Sequence, residues 1–139
     1  GVWDILYYAC LRMIVGWPDT LWDWDVLFLL PLPWWGPVIA PMSIAALMVV
    51  AGTLVSQFDS PERPVWPGRW TWGAAMCGVV LALFAFTVDA LAAVPHGAEA
   101  VRIVLPHSFD WPLFVLAVLL MAAPVADLAN RLRKARRGS

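Results

Sequence analysis

The residue types best suited to chemistry are concentrated in one connection, residues 95–110. It holds both histidines of the chain, His96 and His107, together with Glu99 and Asp110. Imidazole and carboxylate groups form a workable ligand set for zinc, copper or iron, and the same groups can transfer protons. Their spacing does not match a compact motif such as two histidines four residues apart on one helix. A metal, redox or proton-handling site here is therefore an alternative hypothesis, and the sequence otherwise implies no cofactor.

Three ionisable side chains interrupt apolar stretches of the chain: Arg12, Asp89 and Asp127. A charged group costs about 2.5–3.5 kcal/mol at the centre of a bilayer on insertion scales. Arg12 and Asp89 are therefore candidates for a proton or ion path in a transporter or channel component. A chain this short would have to oligomerise to form such a path, so this hypothesis ranks last. Asp127 precedes Arg131 by four residues, a spacing typical of an ion pair on a helix surface.

Other catalytic patterns are absent from the sequence. It contains no nucleophile elbow, no glycine-rich phosphate loop and no Cys-x-x-Cys motif. Cys10 and Cys77 lie far apart, each in an apolar stretch, where they are expected to pack as small apolar side chains. The sequence therefore favours a protein that is not an enzyme.

The composition indicates the environment in which the chain folds. Of its 139 residues, 62% are apolar and 14% are charged, whereas about 25% are charged in a typical soluble domain. Residues 26–58 form an uncharged run of 33 positions, and a helix needs about 20 residues to cross a bilayer. Most of the ten tryptophans flank the apolar stretches, as in the aromatic belts of membrane proteins. These features predict an integral membrane protein and exclude a nucleic-acid-binding domain.

The apolar runs predict an all-α fold, a bundle of three to four transmembrane helices. We expect one domain over residues 1–130, with spans at about 2–17, 35–57, 70–94 and 111–130, followed by a basic tail at 131–139. The acidic, Trp-rich stretch 19–35 is expected to be an interfacial or re-entrant segment. Its apolar core is too short to cross, and Pro31 and Pro33 break a long helix. The runs do not alternate as the strands of a membrane barrel do.

The basic residues predict the orientation. Five of the nine lie in the last nine positions, and Arg63 and Arg69 lie in the loop 58–69, two crossings earlier. Cytoplasmic loops collect Lys and Arg, so this loop and the C-terminus are expected on the cytoplasmic side of a bacterial inner membrane. The Trp-rich stretch and the histidine-bearing loop then face outward together. The tail is expected to contact anionic lipid headgroups rather than nucleic acid.

Small residues recur along one face of the predicted third span. This stripe comprises Ala74, Gly78, Ala82 and Ala85, and Asp89 lies within about 20° of Gly78 around the helix axis. Small residues let a second helix approach closely. The second span offers a candidate partner stripe at Ala45, Val49, Gly52 and Ser56. Together with the lack of a catalytic constellation, this favours a small polytopic subunit with a structural or accessory role, packing against other subunits of a larger membrane complex.

Overall fold

The structure, a computed structural model, describes residues 1–58 and 66–137, with side chains described as far as Lys134. The protein is mostly helical, at 72%. Its elements, in chain order, are α1 (Val2–Val15), β1 (Trp24–Phe28), β2 (Trp34–Pro37), α2 (Ile39–Phe58), α3 (Arg69–Ala93), a 3-10 turn (Val94–His96), α4 (Ala98–Ile103) and α5 (Trp111–Arg137).

Three of the helices are long and apolar enough to cross a membrane. They cover Ile39–Phe58, Arg69–His96 and Trp111–Lys134, which supports an integral membrane location and confirms the mostly helical prediction. The predicted first span at about 2–17 corresponds to α1, whose 14 described residues are followed by Gly16 with a left-handed φ of 79°. The helix α5 continues to Arg137, so residues 131–137 extend it.

The helices α3 and α5 pack closely through small residues. A Cβ atom added to Gly78 would lie 2.5 Å from the carbonyl oxygen of Ala117 on α5. Ala82 and Ala85 continue this face of α3 and are buried with Ala117 and Phe114 in the apolar core. The close approach requires a residue without a Cβ atom at position 78. The predicted small-residue stripe on α3 is therefore a packing face, and Ala74 at its end is half-buried.

The partner of this stripe differs from the expected one. It packs against α5, whereas α2 packs against α1, β2 and α5 in the described part of the chain. On α2, Ala45 is buried, and its carbonyl oxygen lies 2.8 Å from a Cβ atom built on Gly1. Gly52 is exposed, and a Cβ atom there would meet nothing within 4 Å. Because α5 already covers the small face of α3, Gly52 has no packing role against α3 in this fold.

A β-hairpin stands where the sequence predicted an interfacial or re-entrant segment. The strands β1 and β2 are antiparallel, with Trp24 opposite Pro37 and Val26 opposite Trp35, and a bulge follows Val26. Pro31 and Pro33 lie in the connection, consistent with their exclusion from helix interiors. The ladder satisfies backbone groups that a broken helix would leave open, which explains the strand conformation.

The hairpin is attached to the start of α2. The backbone N–H groups of Val38 and Ile39 donate to the carbonyl oxygens of Asp23 and Leu21 at 2.9 and 2.8 Å. The first N–H groups of a helix lack partners within the helix, so these bonds stabilise the beginning of α2. Gly36 of β2 lies against the ring of Phe86 on α3. An isolated two-stranded hairpin is marginally stable, and these contacts supply the support it needs.

Candidate functional site

The hairpin and the segment before α5 meet at one end of the helix bundle, which we call the aromatic end. The ring centroids of Trp22 and Trp111 are 5.3 Å apart, and those of Trp24 and Phe109 are 6.2 Å apart. Phe109 also contacts Phe86, near the C-terminal end of α3. The acidic Trp-rich stretch and the histidine-bearing loop therefore lie together, as the sequence analysis expected.

A turn at residues 19–23 leads into the hairpin and is organised around one carboxylate. Asp23 accepts hydrogen bonds from the backbone N–H groups of Asp19 and Thr20 and from the Thr20 hydroxyl, the last at 2.7 Å. The Thr20 bonds, with the Asp19 bond and the charge of Arg12, hold the pKa of Asp23 below its ordinary value. Asp23 is therefore ionised at neutral pH and fixes the turn.

Arg12 lies in the last turn of α1 and contacts the segment that follows the helix. Its Nη1 donates to the carbonyl oxygens of Gly16 and Pro18 at 2.6 and 2.9 Å, and to Asp19 Oδ1 at 2.7 Å. A cation at the C-terminal end of a helix satisfies open carbonyls and complements the helix dipole. These contacts account for a charged residue in an otherwise apolar stretch.

Asp89 pairs with His107, a partner that the sequence analysis did not assign to it. The backbone N–H of His107 donates to Asp89 Oδ2 at 3.2 Å, and His107 Nδ1 lies 3.7 Å from Asp89 Oδ1. The Asp89 side chain is 23% exposed and that of His107 is 84% exposed. The sequence positions of the two residues could have suggested this contact, because Asp89 lies near the end of one predicted span and His107 lies shortly before the next.

The remaining residues of the proposed metal set have separate surroundings. Glu99 pairs with Arg102 on α4 at 3.1 Å, and His96 is exposed in the 3-10 turn. Asp110 caps α5, because its Oδ1 accepts from the N–H of Leu113 at 3.0 Å. Within residues 1–58 and 66–137, no three His, Cys, Asp or Glu side chains lie close enough to hold a metal ion. The structure therefore does not bring His96, Glu99, His107 and Asp110 together as ligands.

The opposite end of the bundle carries basic residues and one capping carboxylate. Asp127 on α5 pairs with Arg131 at 3.0 Å, as the four-residue spacing predicts. Asp127 Oδ2 also accepts the N–H of Gly68 at 2.7 Å, directly before α3 begins. An acceptor from α5 thus occupies the N-terminus of α3, where backbone N–H groups lack helical partners. The tie joins residues 59 positions apart.

Comparison with known proteins adds no relative. No protein-family model, curated protein or solved structure matches this chain.

Proposed function

We propose that this chain is a small accessory subunit of a larger membrane complex, in which it provides a docking face for a transmembrane helix of another subunit. The observation that carries the proposal is the open face of α2. Of its most apolar stretch, 11% is buried by the rest of the chain. A spanning helix with so little of its surface covered has room for a protein neighbour as well as for lipid.

The composition of that face favours a protein neighbour. Gly52, Thr53, Ser56 and Gln57 are all exposed and lie on one face of α2. The Thr53 hydroxyl donates to the Val49 carbonyl, while the Ser56 and Gln57 side chains lack partners in the described part of the chain. Small and polar residues let membrane helices approach closely and form hydrogen bonds between helices. Lipid chains offer neither advantage.

The charges support an orientation for the subunit. Arg69, Arg131, Arg133 and Lys134 lie at one end of the bundle, where α3 begins and α5 continues toward the C-terminus. Under the positive-inside rule this end faces the cytoplasm of a bacterial inner membrane. Basic residues next to a span attract anionic lipid headgroups by about 1 kcal/mol each, so lipids of this class are the expected neighbours of the tail.

Native mass measurement after extraction in a mild detergent tests the proposal. The wild-type chain is expected in a species heavier than its own mass by that of at least one other membrane protein. Gly52→Leu should reduce recovery of that species, because the larger side chain projects from the docking face. Gly73→Leu is the matched control, since a Cβ atom at Gly73 on α3 also meets nothing within 4 Å. A wild-type chain recovered as a monomer would contradict the proposal.

A further inference from the structure

A cavity of about 430 Å³ lies between α1, the hairpin and α2, with Phe86 of α3 at one side. This volume is within the range of small-molecule sites, about 300–1,000 Å³. Aromatic side chains from four elements line it, namely Trp3, Tyr7, Tyr8, Phe28, Trp34 and Phe86. We call it the aromatic cavity.

The rings in the aromatic cavity are held in place by contacts with each other. Tyr7 and Tyr8 of α1 form an edge-to-face pair with centroids 5.3 Å apart. Phe28 and Trp34 form a second such pair in the hairpin, at 4.8 Å. Rings of α1 and of the hairpin thus border one space, and the faces of aromatic rings attract cations.

The charged side chains that line the aromatic cavity are acidic. Asp4 and Asp25 line it, and none of the lining side chains is Lys, Arg or His. Asp25 Oδ2 accepts the Tyr8 hydroxyl at 2.7 Å, which leaves Oδ1 without a hydrogen-bond partner in the described part of the chain. Oδ1 of Asp25 is therefore available to a ligand.

We propose that the aromatic cavity binds the ammonium group of an organic cation. The cation lies against the rings and beside Asp25, while the apolar part of the ligand contacts Leu27, Ile44 and Met48, which also line the space. Aromatic cages with a nearby carboxylate are suited to quaternary and primary ammonium groups. An anion would be repelled by both carboxylates. The described residues hold no group of three metal-ligating side chains, so a bare metal ion is disfavoured.

The same ammonium chemistry has two sources at a membrane surface. One is the headgroup of a choline or ethanolamine phospholipid, and the other is a free organic amine. Either source presents the same group to Asp25 and the rings, so the experiment has an arm for each. The inference does not depend on the accessory role, because it is argued from Asp25 and the aromatic rings rather than from Gly52, Ser56 and Gln57.

The first arm compares choline with its neutral isostere 3,3-dimethylbutan-1-ol by calorimetry, using the full chain in micelles of an uncharged maltoside detergent. The second arm uses native mass spectrometry to measure retention of phosphatidylcholine against diacylglycerol, which lacks the ammonium group and carries no net charge. We expect the ammonium compound to bind at least about tenfold more tightly than its comparison compound in one or both arms. Equal binding within both arms, or no binding in either, would overturn the proposal.

Variants locate the site. Asp25→Asn keeps the shape of the side chain and removes its charge, so it should weaken binding of the ammonium compound at least about tenfold. Tyr7→Leu removes one ring from an exposed position on α1 and should weaken it about two- to fivefold. Glu99→Gln, a carboxylate outside the cavity, should leave it unchanged. If Asp25→Asn fails to fold, the wild-type comparison and the affinity of Tyr7→Leu test the proposal. If Glu99→Gln weakens binding of the ammonium compound as much as Tyr7→Leu does, the result counts against the cavity as the binding site.

Discussion

At the scale of single residues, several charged side chains at the aromatic end bind backbone groups where a helix or turn begins or ends. Arg12 ends α1, Asp23 organises the turn before the hairpin, and Asp110 caps α5. Arg12 stood out in the sequence because placing a charge in an apolar stretch costs free energy. The sequence did not reveal its partners, because the carbonyl groups of Gly16 and Pro18 become accessible to Arg12 only where the helix ends.

The turn at Asp23 gives a prediction on titration. The Thr20 hydroxyl bond is the largest cause of the lowered pKa, so Thr20→Val should move the Asp23 pKa upward, toward its ordinary value of 3.8. Because the folded state favours the ionised form, the Asp23 carboxylate stabilises the folded state at pH values above 3.8. This stabilisation is lost as the pH falls through the lower pKa that Asp23 has in the folded protein. Carbon-detected NMR of labelled Asp side chains measures the titration. Thr53→Val, on α2, is the control, and an unchanged Asp23 midpoint in Thr20→Val would refute this account.

At the scale of elements, the apolar runs were sufficient to predict the three long helices. Their lengths follow from uncharged stretches bounded by Trp, Pro and charged residues, and the observed ends lie within a few residues of the predictions, except that α5 continues to Arg137. The packing face of α3 could also be predicted, because Gly78 and Ala82 are small and four residues apart. Its partner helix could not be predicted, because Phe114, Ala117 and Met121 on α5 form an apolar face like that of many other helices.

The sequence pattern did not predict the hairpin, and the reason is physical. Its strands have five and four residues, and their stability comes from contacts with Phe86, Phe109 and Trp111 far along the chain. Tertiary packing of this kind overrides local preference. The aromatic cavity could not be predicted from the sequence for the same reason. The Tyr8 hydroxyl can donate to Asp25 only once α1 and the hairpin have packed together.

The α3–α5 contact gives a prediction on stability. Gly78→Ala places a Cβ atom 2.5 Å from the Ala117 carbonyl oxygen, so the helices must separate, at a cost of about 1–3 kcal/mol in the free energy of unfolding. Gly73→Ala on the same helix has open space around it and should be neutral or stabilising by up to about 1 kcal/mol. Unfolding in mixed detergent micelles, followed by circular dichroism, measures both. Equal effects of the two variants would contradict the close packing.

At the scale of the whole molecule, the two ends of the bundle differ in character. One end carries the hairpin, α4 and the aromatic contacts, with Asp23, Asp25 and Asp89 among them. The other carries Arg69 and Arg131, with Asp127 joining α5 to the start of α3. The proposed orientation requires that α2, α3 and α5, each long and apolar enough to span a membrane, cross it and place these ends on opposite surfaces.

Labelling with a membrane-impermeant maleimide in right-side-out vesicles tests these crossings most directly. In a background with Cys10→Ala and Cys77→Ala, single cysteines are introduced as Leu21→Cys, Ser108→Cys and Lys134→Cys. We predict that positions 21 and 108 react in intact vesicles and that position 134 reacts only after permeabilisation. The reverse pattern would keep the bundle but contradict a cytoplasmic C-terminus. Reaction of positions 108 and 134 from the same surface would contradict the crossing of α5 and with it the three-span fold.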